Sequence, residues 1–235
     1  MATLYIIATP IGNLEDISQR ALRTLSEVDL ILCEDTRVTK KLLNYYNIQT
    51  PVLSYHQHSK LSKINYILSL LQQNKSLALV SDAGTPGISD PGNKLIELLI
   101  EKTTTEQGFE VKIVPIPGPS AVITAASVSG FPMDKFIFLG FAPTKRKRKK
   151  FFEEILNSKY PVIFYESPYR IIKTLSELQS LAIFHNSLIS IVVCRELTKK
   201  FETIYRGEIE KVIEDIKEDK IKGEFVVIVK RKKEK

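Results

Sequence analysis

The residues best suited to chemistry lie in segments that directly follow short apolar runs. These segments are 9–14, 34–37, 81–92 and 115–121. Apolar runs of this length are typical of buried strands, and in open α/β sheets ligands bind beyond the carboxyl ends of the strands. The four segments are therefore expected to line one ligand site.

Residues 81–92 are the most unusual of these segments, with three glycines, two prolines and two aspartates among twelve residues. Glycine permits close backbone approach and positive φ, whereas proline stiffens a loop. The pattern predicts a rigid, concave surface of backbone groups that suits a flat polar ligand; a long surface turn is the alternative. Neither a P-loop nor a dinucleotide fingerprint is present, so ATP, GTP and NAD are poor candidates.

Charged residues after other apolar runs permit two interpretations each. Asp35 and Arg37 form a carboxylate–guanidinium pair, although Asp35 or Thr36 also suits the N-cap of a following helix. Residues 164–170 place Glu166 beside a hydroxyl and an arginine, but Ser167-Pro168 is also a good helix start. Residues 194–200 also carry several charged side chains, and a simple charged turn is the alternative to a functional role for them.

Net charge is concentrated in two basic runs. The chain carries 34 basic and 27 acidic side chains, a net charge of +7. Residues 145–150 contribute +6 and residues 230–235 contribute +4, which leaves −3 for the rest. This distribution points to a local contact with a polyanion, with a solubilising loop as the alternative for 145–150 and disorder for the tail.

Composition excludes several classes of protein. With 235 residues and 43% hydrophobic residues, the chain has ample material for packed cores. No apolar stretch approaches the ~20 residues of a membrane span, and the N-terminus lacks the pattern of a secretory signal. Cys33 and Cys194 are expected to be buried thiols in a reducing cytoplasm, and three histidines with two cysteines make a zinc site improbable.

Strands and helices alternate along the first half, which predicts an α/β fold with a parallel sheet covered on both faces. Residues 190–207 contain two strands without an intervening helix, so the second sheet is expected to be mixed. The basic run is expected to open a helix that ends near Asn157. Prolines and a glycine at 115–120 predict two domains, 1–117 and 118–235, the second with the mixed sheet and basic tail, packed around a cleft.

Seven motifs in register resemble one family. They are residues 8–14, 34–37, 81–92, 117–121, 139–141, 165–170 and 194–199. Together they look like the signatures of the ribosomal RNA small subunit methyltransferase I family, of the tetrapyrrole methylase superfamily, over residues 3–229. The resemblance implies two α/β domains with the active site in the cleft between them, S-adenosylmethionine as cofactor, and a homodimer. It also implies 2′-O-methylation of a cytidine ribose at the decoding centre of 16S rRNA in the small ribosomal subunit.

The resemblance also implies which positions bind the cofactor. The 81–92 segment and the two residues after Pro119 would hold its methionine and ribose parts, Pro10 would lie at the cleft floor, and second-domain backbone would reach the adenine. The cofactor-binding residues are therefore expected to be Pro10, Asp82, Ala83, Gly84, Thr85, Ile88, Ser89, Ser120, Ala121, Leu197, Gly223 and Glu224.

Methyl transfer to a ribose hydroxyl needs alignment of the reacting atoms and benefits from removal of the hydroxyl proton. Asp35 and Glu166 are the expected proton acceptors, with Arg37 orienting a phosphate or the acid, and Asp82 is placed to stabilise the sulfonium. No metal is required. The expected rRNA contacts are Lys145, Arg146, Lys147, Arg148, Lys149 and Lys150. Two alternatives remain, a corrin-type tetrapyrrole C-methyltransferase of the same fold and a non-catalytic RNA-binding protein.

Overall fold

A computed structural model describes residues 1–56, 59–105, 107, 109–219 and 221–232. The chain divides into two compact units, Met1–Ser120 and Ala121–Lys235. His58 and the last three residues of the basic tail, 233–235, lie outside the described residues. Among the described residues, no helix is both long and apolar enough to cross a membrane.

The first unit contains a five-stranded parallel sheet. Its strands are β1 (Ala2–Ile7), β2 (Leu30–Cys33), β3 (Val52–Ser54), β4 (Ser76–Val80) and β5 (Val111–Ile116). The spatial order is β3-β2-β4-β1-β5, so β1 pairs in parallel with both β4 and β5. The predicted parallel α/β sheet is confirmed, and its carboxyl ends bring the candidate loops to one edge.

Helices cover both faces of this sheet. They are α1 (Gln19–Glu27), α2 (Thr36–Tyr45), α3 (Leu61–Gln72) and α4 (Asn93–Thr105), preceded by a short 3-10 helix at Leu14–Asp16. One buried cluster joins Leu25 of α1 to Ile31, and another joins Ile67 and Leu99 of α3 and α4 to Leu79. Both faces of the sheet are covered by apolar side chains. The polar residues therefore lie in the loops at the carboxyl edge of the sheet.

The second unit contains a five-stranded mixed sheet. In chain order its elements are α5 (Ala121–Val128), β6 (Ile137–Phe141), α6 (Arg148–Asn157), β7 (Val162–Glu166), α7 (Ile171–Phe184), β8 (Ile189–Arg195), β9 (Thr203–Gly207), α8 (Ile209–Glu218) and β10 (Phe225–Arg231). The order is β6-β7-β10-β8-β9; β6 and β7 are parallel and the remaining pairs antiparallel. The predicted mixed sheet is confirmed.

The core of the second unit lies between the sheet and helices α6, α7 and α8. Phe164 and Phe225 are fully buried there, packed with apolar residues of all three helices. Cys194 lies in β8, and burial raises the pKa of its thiol to about 11. Cys33 is likewise a buried free thiol, so both thiols are packed as apolar side chains.

Three elements of the structure differ from what the sequence pattern predicts. Strand β3 was not predicted, because three half-buried residues carry too little pattern to be distinguished from a loop. Helix α6 begins at Arg148 and not at Lys145, because Lys147 has left-handed backbone (φ 64°), which ends any helical geometry before it. Helix α7 begins at Ile171, after a turn in which the Ser167 carbonyl accepts from the Arg170 and Ile171 amides.

Candidate functional site

Two loops at the carboxyl edge of the first sheet are joined by backbone hydrogen bonds. The Thr9 amide donates to the Gly84 carbonyl at 2.8 Å, and the Gly84 amide donates to the Thr9 carbonyl at 3.0 Å. The buried Thr9 hydroxyl donates to the Ser81 carbonyl at 3.2 Å. Gly84 has φ +79°, a conformation that L side chains rarely adopt. The loops after β1 and β4 therefore form one rigid surface.

The loop after β5 packs against the same surface. The Thr85 hydroxyl donates to the Pro119 carbonyl at 3.2 Å, and a Cβ placed on Gly118 would lie 3.1 Å from the Ala8 Cβ. Buried Pro10 thus lies within a contiguous group of loops that also holds Gly84 and Thr85. The structure thus brings together three separate segments of the sequence, two of which hold the predicted residues Pro10, Gly84 and Thr85.

The other predicted cofactor residues of the first unit are more exposed. Asp82, Ala83 and Ser89 are exposed, and the Ile88 side chain is 46% exposed. Ser120, at the end of the first unit, and Ala121, at the start of α5, are half-buried. These side chains are accessible to a ligand, in contrast to the backbone bridge beneath them.

The Asp35 carboxylate makes two structural interactions, the N-cap of α2 and an ion pair with Arg37. It caps α2 by accepting from the Arg37 amide at 2.8 Å, and it accepts from the Arg37 guanidinium, with the shortest contact at 2.6 Å. The side-chain hydrogen bond from Arg37 lowers the pKa of Asp35 to about 2, so this carboxylate is a weak base. The N-cap interpretation is correct, and the 86% exposed Arg37 side chain remains available for an anion.

Carboxylates converge beside this pair. The Asp35 amide donates to Asp82 at 2.9 Å. Burial, the charge of Glu34 and the charge of Asp82 raise the pKa of Asp90 to about 6, against a hydrogen bond from Ser81. Burial, followed by the charge of Asp82, also raises the pKa of Glu34. Sequence reasoning did not select Asp90 or Glu34, and the available signal was their place in the loops after β4 and β2.

The mutual repulsion of these carboxylates fits a cationic ligand. Neutralising charge near Glu34, Asp82 and Asp90 would relieve the repulsion that raises two of their pKa values. Among the described residues, no group of three or more histidine, cysteine or acidic side chains has the arrangement of a metal site. A sulfonium or ammonium group carries the positive charge that would relieve the repulsion among Glu34, Asp82 and Asp90.

Glu166, at the end of β7, is buried in a polar network. Its carboxylate accepts from the Thr174 hydroxyl at 2.6 Å, from the Ser167 amide at 2.7 Å and from the Arg170 guanidinium at 2.7 Å. The side chain has no exposed surface. This environment does not suit the predicted role of proton acceptor, because both oxygens are occupied and a ribose cannot reach them.

The predicted RNA contacts fall into two groups. Five of the six cations are exposed, namely Lys145, Arg146, Lys147, Lys149 and Lys150. The Arg148 side chain is only 11% exposed and donates to Glu177, to the Pro143 carbonyl at 2.7 Å and to the Thr174 hydroxyl at 2.7 Å. Three acceptors inside the unit thus hold Arg148, and this arrangement does not favour its predicted phosphate contact.

The positions predicted to reach the adenine lie at the turn before β10 and the loop after β8. Leu197 is buried, between Glu196 (φ 52°) and Thr198 (φ 66°). Glu196 accepts from the Glu224 amide at 3.0 Å, and its own amide donates to the Glu224 carbonyl at 3.0 Å. Both backbone groups of Glu224 thus have partners within the unit, and its contact with the adenine stays a prediction.

Comparison with known proteins gives consistent results. Residues 3–213 match the family described as Tetrapyrrole (Corrin/Porphyrin) Methylases. A protein of Halalkalibacterium halodurans named ribosomal RNA small subunit methyltransferase I is 46% identical over 234 residues, which cover 99% of this chain and 77% of that protein. The Thermotoga maritima protein of the same name is 44% identical over 232 residues, 99% of this chain and 100% of its own length.

Solved structures share the fold. Cobalt precorrin-4 methyltransferase, at 20% identity, has a TM-score of 0.68 over 97% of this chain and 94% of its own. Diphthine synthase, at 12% identity, has a TM-score of 0.70 over 98% and 90%. At these identities the likeness concerns the fold alone. The family match and the near-full-length relatives establish that the chain belongs to the tetrapyrrole methylases, and among them to the ribosomal RNA small subunit methyltransferase I family.

Proposed function

We propose that the protein transfers a methyl group from S-adenosylmethionine to the 2′-hydroxyl of a cytidine ribose in 16S rRNA of the small ribosomal subunit. The observation that carries this proposal is the 43–47% identity, over nearly the whole chain, to proteins named ribosomal RNA small subunit methyltransferase I. The nucleotide and the atom methylated follow from the motif resemblance of the seven segments.

The first-unit loops supply a suitable cofactor surface. Bound S-adenosylmethionine would supply an electrophilic methyl group and leave as a neutral thioether. Its methionine and ribose parts would be held by residues 82–85, 88 and 89, together with Pro10, Ser120 and Ala121. Its adenine would be held by Leu197 and residues 223–224. The bridge between Thr9 and Gly84 keeps this surface rigid, and Asp82 with its neighbouring carboxylates favours a cation.

Charged residues of the first unit have separate roles in this proposal. We assign to Arg37 the orientation of an RNA phosphate, because its guanidinium is exposed and Asp35 holds it in place. Asp35, with a pKa of about 2, takes a proton poorly. Asp90, with a pKa of about 6, is better matched to a proton acceptor near neutral pH.

The exposed cations of residues 145–150 support an RNA substrate. A corrin-type substrate would not require five exposed cations within six residues, whereas a phosphate backbone gains affinity from each contact. A non-catalytic RNA-binding role would not account for the carboxylates in the first-unit loops, because carboxylates repel a phosphate backbone. Homodimerisation and a cytoplasmic location belong to the same proposal, by resemblance to the family.

The proposed function is tested by transfer of label. The protein is incubated with methyl-labelled S-adenosylmethionine and small ribosomal subunits that lack the modification, and the rRNA is digested to nucleosides. We expect label in 2′-O-methylcytidine from 16S rRNA. Label in a different nucleoside, or in a tetrapyrrole offered in parallel, would overturn the proposal.

Two variants locate the chemistry within the protein. Asp90→Asn should lower the methyl-transfer rate constant by about 100-fold or more if Asp90 takes the proton. Arg37→Gln should chiefly raise the KM for the ribosomal subunit, because it removes an orienting contact. Glu97→Gln, in α4, is a matched carboxylate control and should leave both constants unchanged. Equal loss in all three variants would contradict these assignments.

A further inference from the structure

Two exposed aromatic side chains lie at the last residue of β6 and in the turn between β7 and α7. The Tyr169 side chain is 96% exposed and the Phe141 side chain is 57% exposed. Phe141 packs edge-on against Tyr165 with ring centroids 5.2 Å apart, so its ring is held in place. A ligand that covered these rings would gain free energy by removing their apolar surface from water.

Two partly buried arginines, Arg148 and Arg170, connect these aromatic residues to the basic segment. Arg170 follows Tyr169 and donates to the Ala142 carbonyl at 3.1 Å, directly after Phe141. Arg148 donates to the next carbonyl, that of Pro143, at 2.7 Å. The turn that carries Tyr169 and the segment that leads into residues 145–150 are therefore fixed against each other.

Glu166 and Thr174 complete this arrangement. Glu166 accepts from Arg170 at 2.7 Å, and Thr174 joins it to Arg148 by hydrogen bonds of 2.6 and 2.7 Å. A continuous buried network thus sets the relative positions of the exposed rings and the exposed cations. Such preorganisation reduces the entropy lost when a ligand binds.

The combination of rings and cations is typical of surfaces that bind unpaired nucleic acid. Bases stack on aromatic faces whatever their sequence, while lysine and arginine contact the phosphates. In a duplex the bases are stacked on one another, so their faces are not accessible to Tyr169 or Phe141. The surface therefore complements single-stranded RNA in both charge and shape.

We infer that Tyr169 and Phe141 stack on unpaired bases of the RNA substrate while residues 145, 146, 147, 149 and 150 contact its phosphates. This inference rests on the proposed function and adds the substrate's conformation, a single-stranded segment at the point of contact. Arg148 and Glu166 act as positioning residues behind this surface and do not touch the RNA.

Binding of a short RNA tests the inference without any methyl transfer. The full chain is titrated against a fluorescein-labelled single strand of about twelve nucleotides and against the matching duplex, with anisotropy as the readout. Wild-type protein should bind the single strand at least about tenfold more tightly than the duplex. Tyr169→Ala should weaken single-strand binding by about 5- to 100-fold, whereas Tyr169→Phe, which keeps the ring, should stay within about twofold.

The dependence of binding on salt separates stacking from charge. Tyr169→Ala and Phe141→Leu should lower affinity without changing the slope of log affinity against log salt, because they remove no cation. Lys147→Gln should reduce that slope by about 0.7. Phe141→Leu keeps apolar bulk, so its loss of affinity would report the aromatic face.

The outcomes distinguish this inference from the proposed function. If wild-type protein binds the single strand and Tyr169→Ala and Phe141→Leu bind equally well, the stacking surface is wrong while the proposed function stands. Equal affinity of wild-type protein for duplex and single strand would also overturn the inference. If wild-type protein methylates no ribosomal RNA, the proposed function fails, whatever the oligonucleotide does.

Discussion

Single residues of the first-unit loops carry chemistry that their sequence positions did not reveal. Asp90 is half-buried beside the charges of Glu34 and Asp82, which raises its pKa to about 6 from the ordinary 3.8. The pKa of Asp35 is instead lowered, to about 2, by its hydrogen bond with Arg37. The pKa values of these two aspartates thus differ because Asp90 is more buried and because each has different neighbours.

The pKa of Asp90 predicts a dependence of stability on pH. Because the native pKa lies above the ordinary one, ionising Asp90 costs free energy of folding, and this cost develops between about pH 4 and pH 6. Asp90→Asn removes the charge and should gain stability over the parent through that window, reaching at most about 3 kcal/mol at pH 7. Urea unfolding at pH 4 and pH 7 measures the difference.

Asp134→Asn removes one carboxylate at an exposed position and is the control for this comparison. A stability difference between Asp90→Asn and the parent that is the same at pH 4 and pH 7 would mean that the pKa of Asp90 is not raised.

Gly223 is required by both its backbone and its neighbour. It has φ +92°, and a Cβ there would lie 2.3 Å from the carboxyl carbon of Glu196, which is held by the Glu224 amide and by Lys199. Gly130, with φ +75° and nothing within 4 Å of a Cβ, isolates the backbone effect. Gly130→Ala should cost about 1 kcal/mol of unfolding free energy, and Gly223→Ala at least about 1 kcal/mol more. Equal losses would show that Glu196 moves freely.

At the scale of elements, one buried network joins β7, α6 and α7. Thr174 is fully buried, donates to Glu166 and accepts from Arg148. Three sequence motifs are thereby coupled: the strand end at 166, the basic run and the turn at 167–170. Charged groups in such networks are stable only when every partner is present.

Thr174→Val should therefore be costly although the side chains have nearly the same volume. It leaves a carboxylate oxygen and a guanidinium N–H without this partner, which we expect to reduce the unfolding free energy by about 2–4 kcal/mol. Thr104→Val, at an exposed position of α4 with a hydroxyl bond to Ile100 at 2.8 Å, should cost less than about 0.5 kcal/mol. Denaturant titration measures the unfolding free energy of both variants. Similar losses in the two would show that the buried network adds little to stability.

At the scale of the whole molecule, the positive charge belongs to one unit. Met1–Ser120 carries 11 basic and 12 acidic side chains, a net charge of −1, whereas Ala121–Lys235 carries 23 and 15, a net charge of +8. The unit with the carboxylate-lined loops is thus nearly neutral. The cationic unit can attract RNA over a distance set by the ionic strength.

The proposed RNA contacts predict how binding depends on salt. Replacing all five exposed cations of residues 145–150 by glutamine should reduce the slope of log affinity for single-stranded RNA against log salt by about 3 to 4, from about 0.7 per contact. A control removes the same charge from exposed positions of the first unit, namely Arg20, Arg23, Lys41, Lys94 and Lys112. Nitrocellulose filter binding between low and moderate salt measures both slopes, and equal reductions would mean that only net charge matters.

Much of the fold was predictable because it depends on periodic patterns. The alternation of apolar runs with amphipathic segments predicted the parallel sheet, and the missing helix between β8 and β9 predicted the mixed one. Strand β3 and the start of α6 were not predictable, since a three-residue strand has no periodicity and the left-handed Lys147 has no signature in a run of cations.

The sequence by itself determined the family, the α/β class and the loops at the sheet edge, because motif spacing and hydrophobic period are properties of the covalent chain. Only the tertiary structure decided the roles of individual charged residues. Arg148 and Lys147 are adjacent cations in one run, yet the Arg148 side chain is mostly covered and donates to Thr174, whereas Lys147 is exposed. Burial and partners arise from residues far apart in the chain, and for a charged group they determine pKa, accessibility and function.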